Sequence, residues 1–117
     1  MSESSTSPTS MIKLFLAEMI GTAIFLSAII VTIDTKKKGY FAGLDWLKIG
    51  LSLAVMIVIF GSISGSNLNP AVSLMLYLND ELSLEKLGVY VIAQLLGGVL
   101  AFVFFKFYQN ELQDIPA

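Results

Sequence analysis

Gly61-Ser62-Ile63-Ser64-Gly65-Ser66-Asn67-Leu68-Asn69-Pro70-Ala71-Val72 is the stretch on which the fold turns. It lies inside an uncharged run from Ile49 to Asn79. As one straight helix, roughly 30 residues would reach about 45 Å, well beyond a hydrocarbon core of ~30 Å. The run must therefore break or tilt strongly, and the crowding of Gly, Ser and Asn ahead of Pro70 says where it breaks. This predicts a spanning helix at about 47–63, an irregular segment at 64–69 and a short helix at 70–78. The short helix cannot cross a bilayer, and Asn79-Asp80-Glu81 marks a return to water. A break at membrane depth followed by a nearby exit describes a re-entrant element. Such backbone persists in a membrane only where protein buries it or a water-filled cavity solvates it.

Asn69-Pro70 has a mechanical reading. Asn is a strong N-cap residue, and Pro is tolerated in the first helical turn because the N–H it lacks has no intrahelical partner there. The short helix would then begin deep in the membrane, with partial positive charge at its start. That terminus repels cations and attracts the oxygen of water or a hydroxyl compound. If the Asn69 amide is not fully used in capping, it can donate to a passing oxygen. Carbonyls of Gly65, Ser66, Asn67 and Leu68 can act as acceptors on the same path. The plainer alternative is that Asn-Pro is only a loop-to-helix junction.

Outward from this stretch the chain reads as lipid-solvated. Of its 117 residues, 56% are hydrophobic and only 14% charged, far from the usual soluble balance. Residues 1–10 are polar and Ser/Thr-rich and read as a disordered tail. Leu14 to Ile33 is an apolar run of 20 residues, longer than a signal-peptide core, and predicts a retained helix at about 12–33. Residues 34–48 form a polar loop in which Tyr40, Phe41 and Trp46 suit the lipid–water interface. Leu87 to Phe105 is uncharged and predicts a third spanning helix, extending over about 87–107; residues 109–117 form a polar tail. The membrane domain thus covers 11–108, and the fold class is an all-α membrane protein with three transmembrane helices plus one re-entrant half-helix.

Composition also excludes functions. There is no His and no Cys, and all seven basic residues are Lys. Thiolate chemistry, disulfides and His-based metal sites or proton shuttles are absent, and no cofactor or metal is implied. A net charge of −2 gives no reason to expect nucleic acid as a partner. No pair of intramembrane carboxylates offers acid–base chemistry, so an enzyme is poorly supported.

Two polar side chains stand inside the spans. Glu18 is the one formal charge there, and a carboxylate at that depth is costly unless paired or facing a cavity. It either faces inward and accepts from the N–H groups of the re-entrant loop, as a brace, or snorkels to the nearby interface. Gln94 can bond the same loop or simply another helix. Ala17, Gly21, Ala93 and Gly97-Gly98 are small residues that permit close helix contact.

Three stretches together resemble the major intrinsic protein family, the aquaporins and glycerol facilitators. Ala17-Glu18-Met19-Ile20-Gly21-Thr22 is similar to the first-helix signature, Ile63 to Ser73 to the first Asn-Pro-Ala loop, and Tyr90 to Gly98 to the third helix. The resemblance covers about residues 12–108. It implies passive passage of water or small neutral solutes, with Asn69 as the pore Asn, Pro70 and Ala71 beside it, and Glu18 and Gln94 as braces. Ile49, twenty positions before Asn69, matches a selectivity-filter position and would make that corner apolar. Asn67 stands where the family usually has His.

Family members are similar to two such halves joined with inverted topology, and this sequence carries the first. The resemblance therefore implies a homo-oligomer or a full-length aquaporin-like partner, within membrane lipid, to complete a pore; a non-conducting modulator of such a channel is the competing reading. Lys13 and Lys86 fall on the side of the N-terminus, and Lys36, Lys37, Lys38, Lys48 and Lys106 on the other. The positive-inside rule then favours the first loop in the cytoplasm, opposite to the family's first half.

Overall fold

A computed structural model of the chain describes residues 7–34 and 42–112. Four α-helices follow in order: α1 (Pro8–Ile33), α2 (Asp45–Ser64), α3 (Pro70–Leu78) and α4 (Leu84–Phe107). The described residues contain no strand. α1, α2 and α4 are each long and apolar enough to cross a membrane. The Ile49–Asn79 run is broken, with residues 65–69 outside any helix. At 1.5 Å per residue, the nine residues of α3 reach only about 14 Å, half a hydrocarbon core.

Several helices begin earlier than the hydropathy pattern predicts, and local capping explains why. α1 starts at Pro8, so residues 8–10 belong to it rather than to a disordered tail. Ser7 is the N-cap: its Oγ accepts from the Ser10 N–H at 3.2 Å, and Pro8 occupies the first turn. α4 starts at Leu84 because Ser83 Oγ accepts from the Lys86 N–H at 3.2 Å. In the expected loop 34–48, a 3-10 turn at Ala42–Leu44 leads into α2, whose first turn already contains Trp46 and Lys48. Trp46 is exposed, whereas Tyr40 and Phe41 lie outside the described residues. Beyond α4, a wider π-type turn covers Tyr108–Leu112, with the Phe105 and Tyr108 rings stacked at 6.2 Å. It occupies the first part of the expected polar tail.

α1 packs against both α2 and α4, and α3 lies on α4. α1 and α4 run parallel, since Glu18 meets Gln94, Thr22 meets Gly97 and Leu26 meets Gly98. α2 runs antiparallel to α1, since Ser64 meets Glu18 while Phe60 meets Gly21. Small residues line the contacts between α1 and α4, with Ala17, Gly21, Ala93, Gly97 and Ala101 buried, and Met56, Leu68 and Tyr90 are the large apolar or aromatic side chains buried beside them. Most other large apolar side chains point outward, Val58 at 82% exposure being the extreme. This inside-out distribution suits helices whose outer solvent is lipid, because only close packing and polar contacts then favour association.

Candidate functional site

Glu18 sits at the middle of α1 with no exposed surface. Its Oε2 accepts from Ser64 Oγ at 2.6 Å and from the Asn67 backbone N–H at 3.1 Å. Its Oε1 accepts from the Leu68 backbone N–H at 2.8 Å and from Gln94 Nε2 at 2.9 Å. One carboxylate therefore joins α1, the end of α2, the 65–69 loop and α4. All four partners are donors, which matches the acceptor-only capacity of a carboxylate.

The loop itself is held in an unusual conformation. α2 ends at Gly65, left-handed at φ 86°, whose N–H bonds the Gly61 carbonyl at 2.9 Å. Ser66 and Leu68 also adopt positive φ, 49° and 56°. Such a conformation costs a non-glycine residue about 1–2 kcal/mol. It turns the N–H groups of Ser66, Asn67 and Leu68 inward, onto Ser64 Oγ and Glu18. Ser66 Oγ reaches back along α2 to the Met56 carbonyl at 2.9 Å. No donor among the described residues bonds the carbonyl oxygens of Gly65, Ser66, Asn67 or Leu68.

A second layer of bonds fixes the half-helix. Ser73, fully buried, accepts from Asn67 Nδ2 at 3.1 Å and from Gln94 Nε2 at 2.8 Å. Tyr90 Oη donates to the Ser64 carbonyl at 2.6 Å, closing the end of α2. Ser64, Ser73 and Tyr90 were not singled out by the sequence analysis. Ser64 and Ser73 carried a weak signal, as hydroxyls flanking the break on both sides. Tyr90 carried none apart from its place in the third-helix stretch.

At the open side of the loop stands Asn69. Its Oδ1 accepts from the Ala71 N–H at 2.8 Å, capping α3. Capping needs an acceptor, so the amide nitrogen is turned away from the helix. Nδ2 has no bonded partner among the described residues, and Asn69, Pro70 and Ala71 are all exposed. Below them an open groove of about 550 Å³ is lined by Ala71, Leu74, Met75, Leu78 and Asn79.

The structure thus divides the candidate residues. Gly65, Asn69, Pro70 and Ala71 are on the open side, while Ser66, Asn67 and Leu68 are buried, with Asn67 turned toward Ser73 and Leu68 toward Gly21. Glu18 and Gln94 meet under the loop. Ile49 is not part of this cluster. It lies on the α2 stripe that includes Met56, seven residues or about 10 Å further toward the start of that helix.

With this geometry in view, a model of the family described as "Major intrinsic protein" matches residues 3–116. The chain belongs to the major intrinsic protein family. It is 35% identical to aquaporin AqpM of Methanothermobacter marburgensis over 102 residues, 82% of this chain and 40% of that protein. It is 37% identical to aquaporin-9 of Homo sapiens over 111 residues, 91% of this chain and 38% of that protein. With aquaglyceroporin-4 of Botryotinia fuckeliana it shares 40% identity over 77 residues, 65% of this chain and 10% of that protein. The chain thus spans at most about two fifths of the length of these relatives. As a major intrinsic protein with three spanning helices, it is a multi-pass integral membrane protein.

Proposed function

We propose that these helices form one half of a passive pore for water or small uncharged solutes. The observation that carries this reading is Asn69. Its acceptor is consumed in capping α3, and its donor faces outward at the start of a helix about half a membrane thick. A solute oxygen arriving there meets an amide donor and the positive end of a helix dipole. A cation arriving there meets the same positive end and must shed its hydration. Membership of a family whose named members are aquaporins and aquaglyceroporins supports the same reading. The family is one of channels rather than enzymes, and no catalytic step is proposed.

The open side of the loop and the groove beneath it form a wall, not an enclosed path. We propose that a complementary half covers this wall, supplied by a second copy of these elements or by an aquaporin-like partner. Glu18 and Gln94 act in this scheme as positioning residues that hold the loop, and Ile49 supplies an apolar side chain one helical turn in from Asp45. An apolar corner there discriminates weakly between water and small polyols.

The test is osmotic. Purified protein in proteoliposomes is expected to raise water or glycerol permeability above the lipid baseline in stopped-flow shrinkage. Asn69→Asp keeps the capping oxygen but removes the amide donor and adds a negative charge. It is expected to leave insertion intact while lowering flux of neutral solute and weakening rejection of cations. Flux equal to the lipid baseline for both solutes would show that the protein does not conduct by itself. Wild-type flux in Asn69→Asp would remove Asn69 from the path.

A further inference from the structure

We propose that Ser73 is the positioning residue that fixes where the Asn69 amide stands. This rests on the reading of Asn69 as a pore donor and adds the group that aims it. α3 packs on α4 and on no other described helix. Of its nine residues Ser73 alone is buried, with no exposed surface. Ser73 Oγ accepts from Gln94 Nε2 at 2.8 Å and from Asn67 Nδ2 at 3.1 Å. No other side chain of α3 bonds another element among the described residues. Asn69 moves with this helix. Its carbonyl accepts from the Ser73 N–H at 3.1 Å, and its Oδ1 from the Ala71 N–H at 2.8 Å. Ser73 lies about 6 Å further along, so a shift at Ser73 is carried to Asn69 through one helical turn.

Both donors to Ser73 belong to residues that Glu18 holds. Gln94 Nε2 also donates to Glu18 Oε1 at 2.9 Å, and the Asn67 backbone N–H donates to Glu18 Oε2 at 3.1 Å. The carboxylate decides which way Gln94 faces, since only the amide nitrogen can donate to it. Ser73 therefore meets an amide hydrogen on each arm and serves as an acceptor. A single bond leaves a helix free to pivot about it. Two bonds, one to α4 and one to the 65–69 loop, set both the rotation and the height of α3. A side chain without an acceptor at this position strands the Asn67 amide and takes one of two acceptors from Gln94. A nine-residue helix is marginal by itself, so loosening this tether also frays its first turn, where Asn69 sits.

The full chain in lipid nanodiscs tests this by NMR of the Asn69 side-chain amide and by hydrogen exchange at the Ala71 N–H. In Ser73→Ala the Asn69 amide signals are expected to shift and broaden, and Ala71 exchange to accelerate about tenfold, the scale of one net hydrogen bond lost. The indole signal of Trp46, at the start of α2, is expected to stay in place and reports that the fold is kept. Ser73→Thr retains the acceptor and is expected to restore the wild-type Asn69 signals and Ala71 exchange. Unchanged Asn69 signals and Ala71 exchange in Ser73→Ala overturn the proposal, and so does a Ser73→Thr protein that behaves as Ser73→Ala. Flux separates the pore reading from this one. Wild-type protein at the lipid baseline removes the pore reading, while the Asn69 signals still decide the part of Ser73. With flux above the baseline, Ser73→Ala is expected to shift the ratio of glycerol to water permeability, which a smaller folded fraction leaves unchanged. An unshifted ratio overturns the part of Ser73 in selection.

Discussion

Replacing Glu18 by Ala is expected to destabilise the protein by about 3–5 kcal/mol, the scale on which removing one partner of a buried polar network is felt. The substitution strands three donors at once, the N–H groups of Asn67 and Leu68 and Ser64 Oγ, and leaves Gln94 Nε2 with Ser73 alone. Each buried donor left without an acceptor costs about 1–3 kcal/mol, less whatever relaxation returns. The loop has reason to relax, because Ser66 and Leu68 hold positive φ only while their neighbours are tied down. Glu18→Gln keeps the shape but sets an amide NH₂ against donors, so an intermediate loss is expected. Reversible unfolding in mixed micelles measures both. Amide exchange at Asn67 and Leu68 is expected to accelerate in Glu18→Ala before global unfolding does. An unchanged unfolding midpoint with unchanged exchange at those two amides would mean that Glu18 does not anchor the loop.

The break in the Ile49–Asn79 run is legible in sequence because Gly65 and Pro70 leave few backbone options. Gly65 occupies a left-handed cap at φ 86°, and Pro70 must open a helix or end one. Helix starts were harder, since hydropathy sees apolar residues and not caps. Ser7 and Ser83 extend α1 and α4 into polar sequence by hydrogen bonds that no apolar pattern contains. Glu18 stood out as a lone carboxylate within a span, where burial without partners is too costly to persist. Ser64, Ser73 and Tyr90 did not stand out. Hydroxyls are common in membrane helices, and only the tertiary fold decides which of them meet. The inward turn of Asn67, away from the open side, likewise depends on positive φ at Ser66 and Leu68, which neither residue type advertises.

Gly97 and Gly98 are adjacent in α4, yet Ala at the two positions is expected to act with opposite sign. A Cβ on Gly97 would lie 2.8 Å from the Met19 carbonyl oxygen, 2.8 Å from Thr22 Cβ and 3.1 Å from the Ala23 nitrogen. Two of these three are backbone atoms of α1, which cannot move aside unless the helices separate. Gly97→Ala is therefore expected to cost about 1–3 kcal/mol, the range for overpacking a tight interior. Separation of α1 from α4 would also stretch the Glu18–Gln94 bond, so loss of stability should come with faster exchange at the Leu68 amide. A Cβ on Gly98 meets only Leu26 Cδ1 at 3.6 Å, an ordinary contact with the end of a flexible side chain. There the substitution mainly removes the conformational freedom of a mid-helix glycine, and a gain of up to about 1 kcal/mol is expected. Helix propensity alone predicts that both variants gain, and steric closeness alone predicts loss only at Gly97. Unfolding of the pair side by side separates the two, and a stabilised Gly97→Ala would mean that α1 and α4 do not pack at backbone contact.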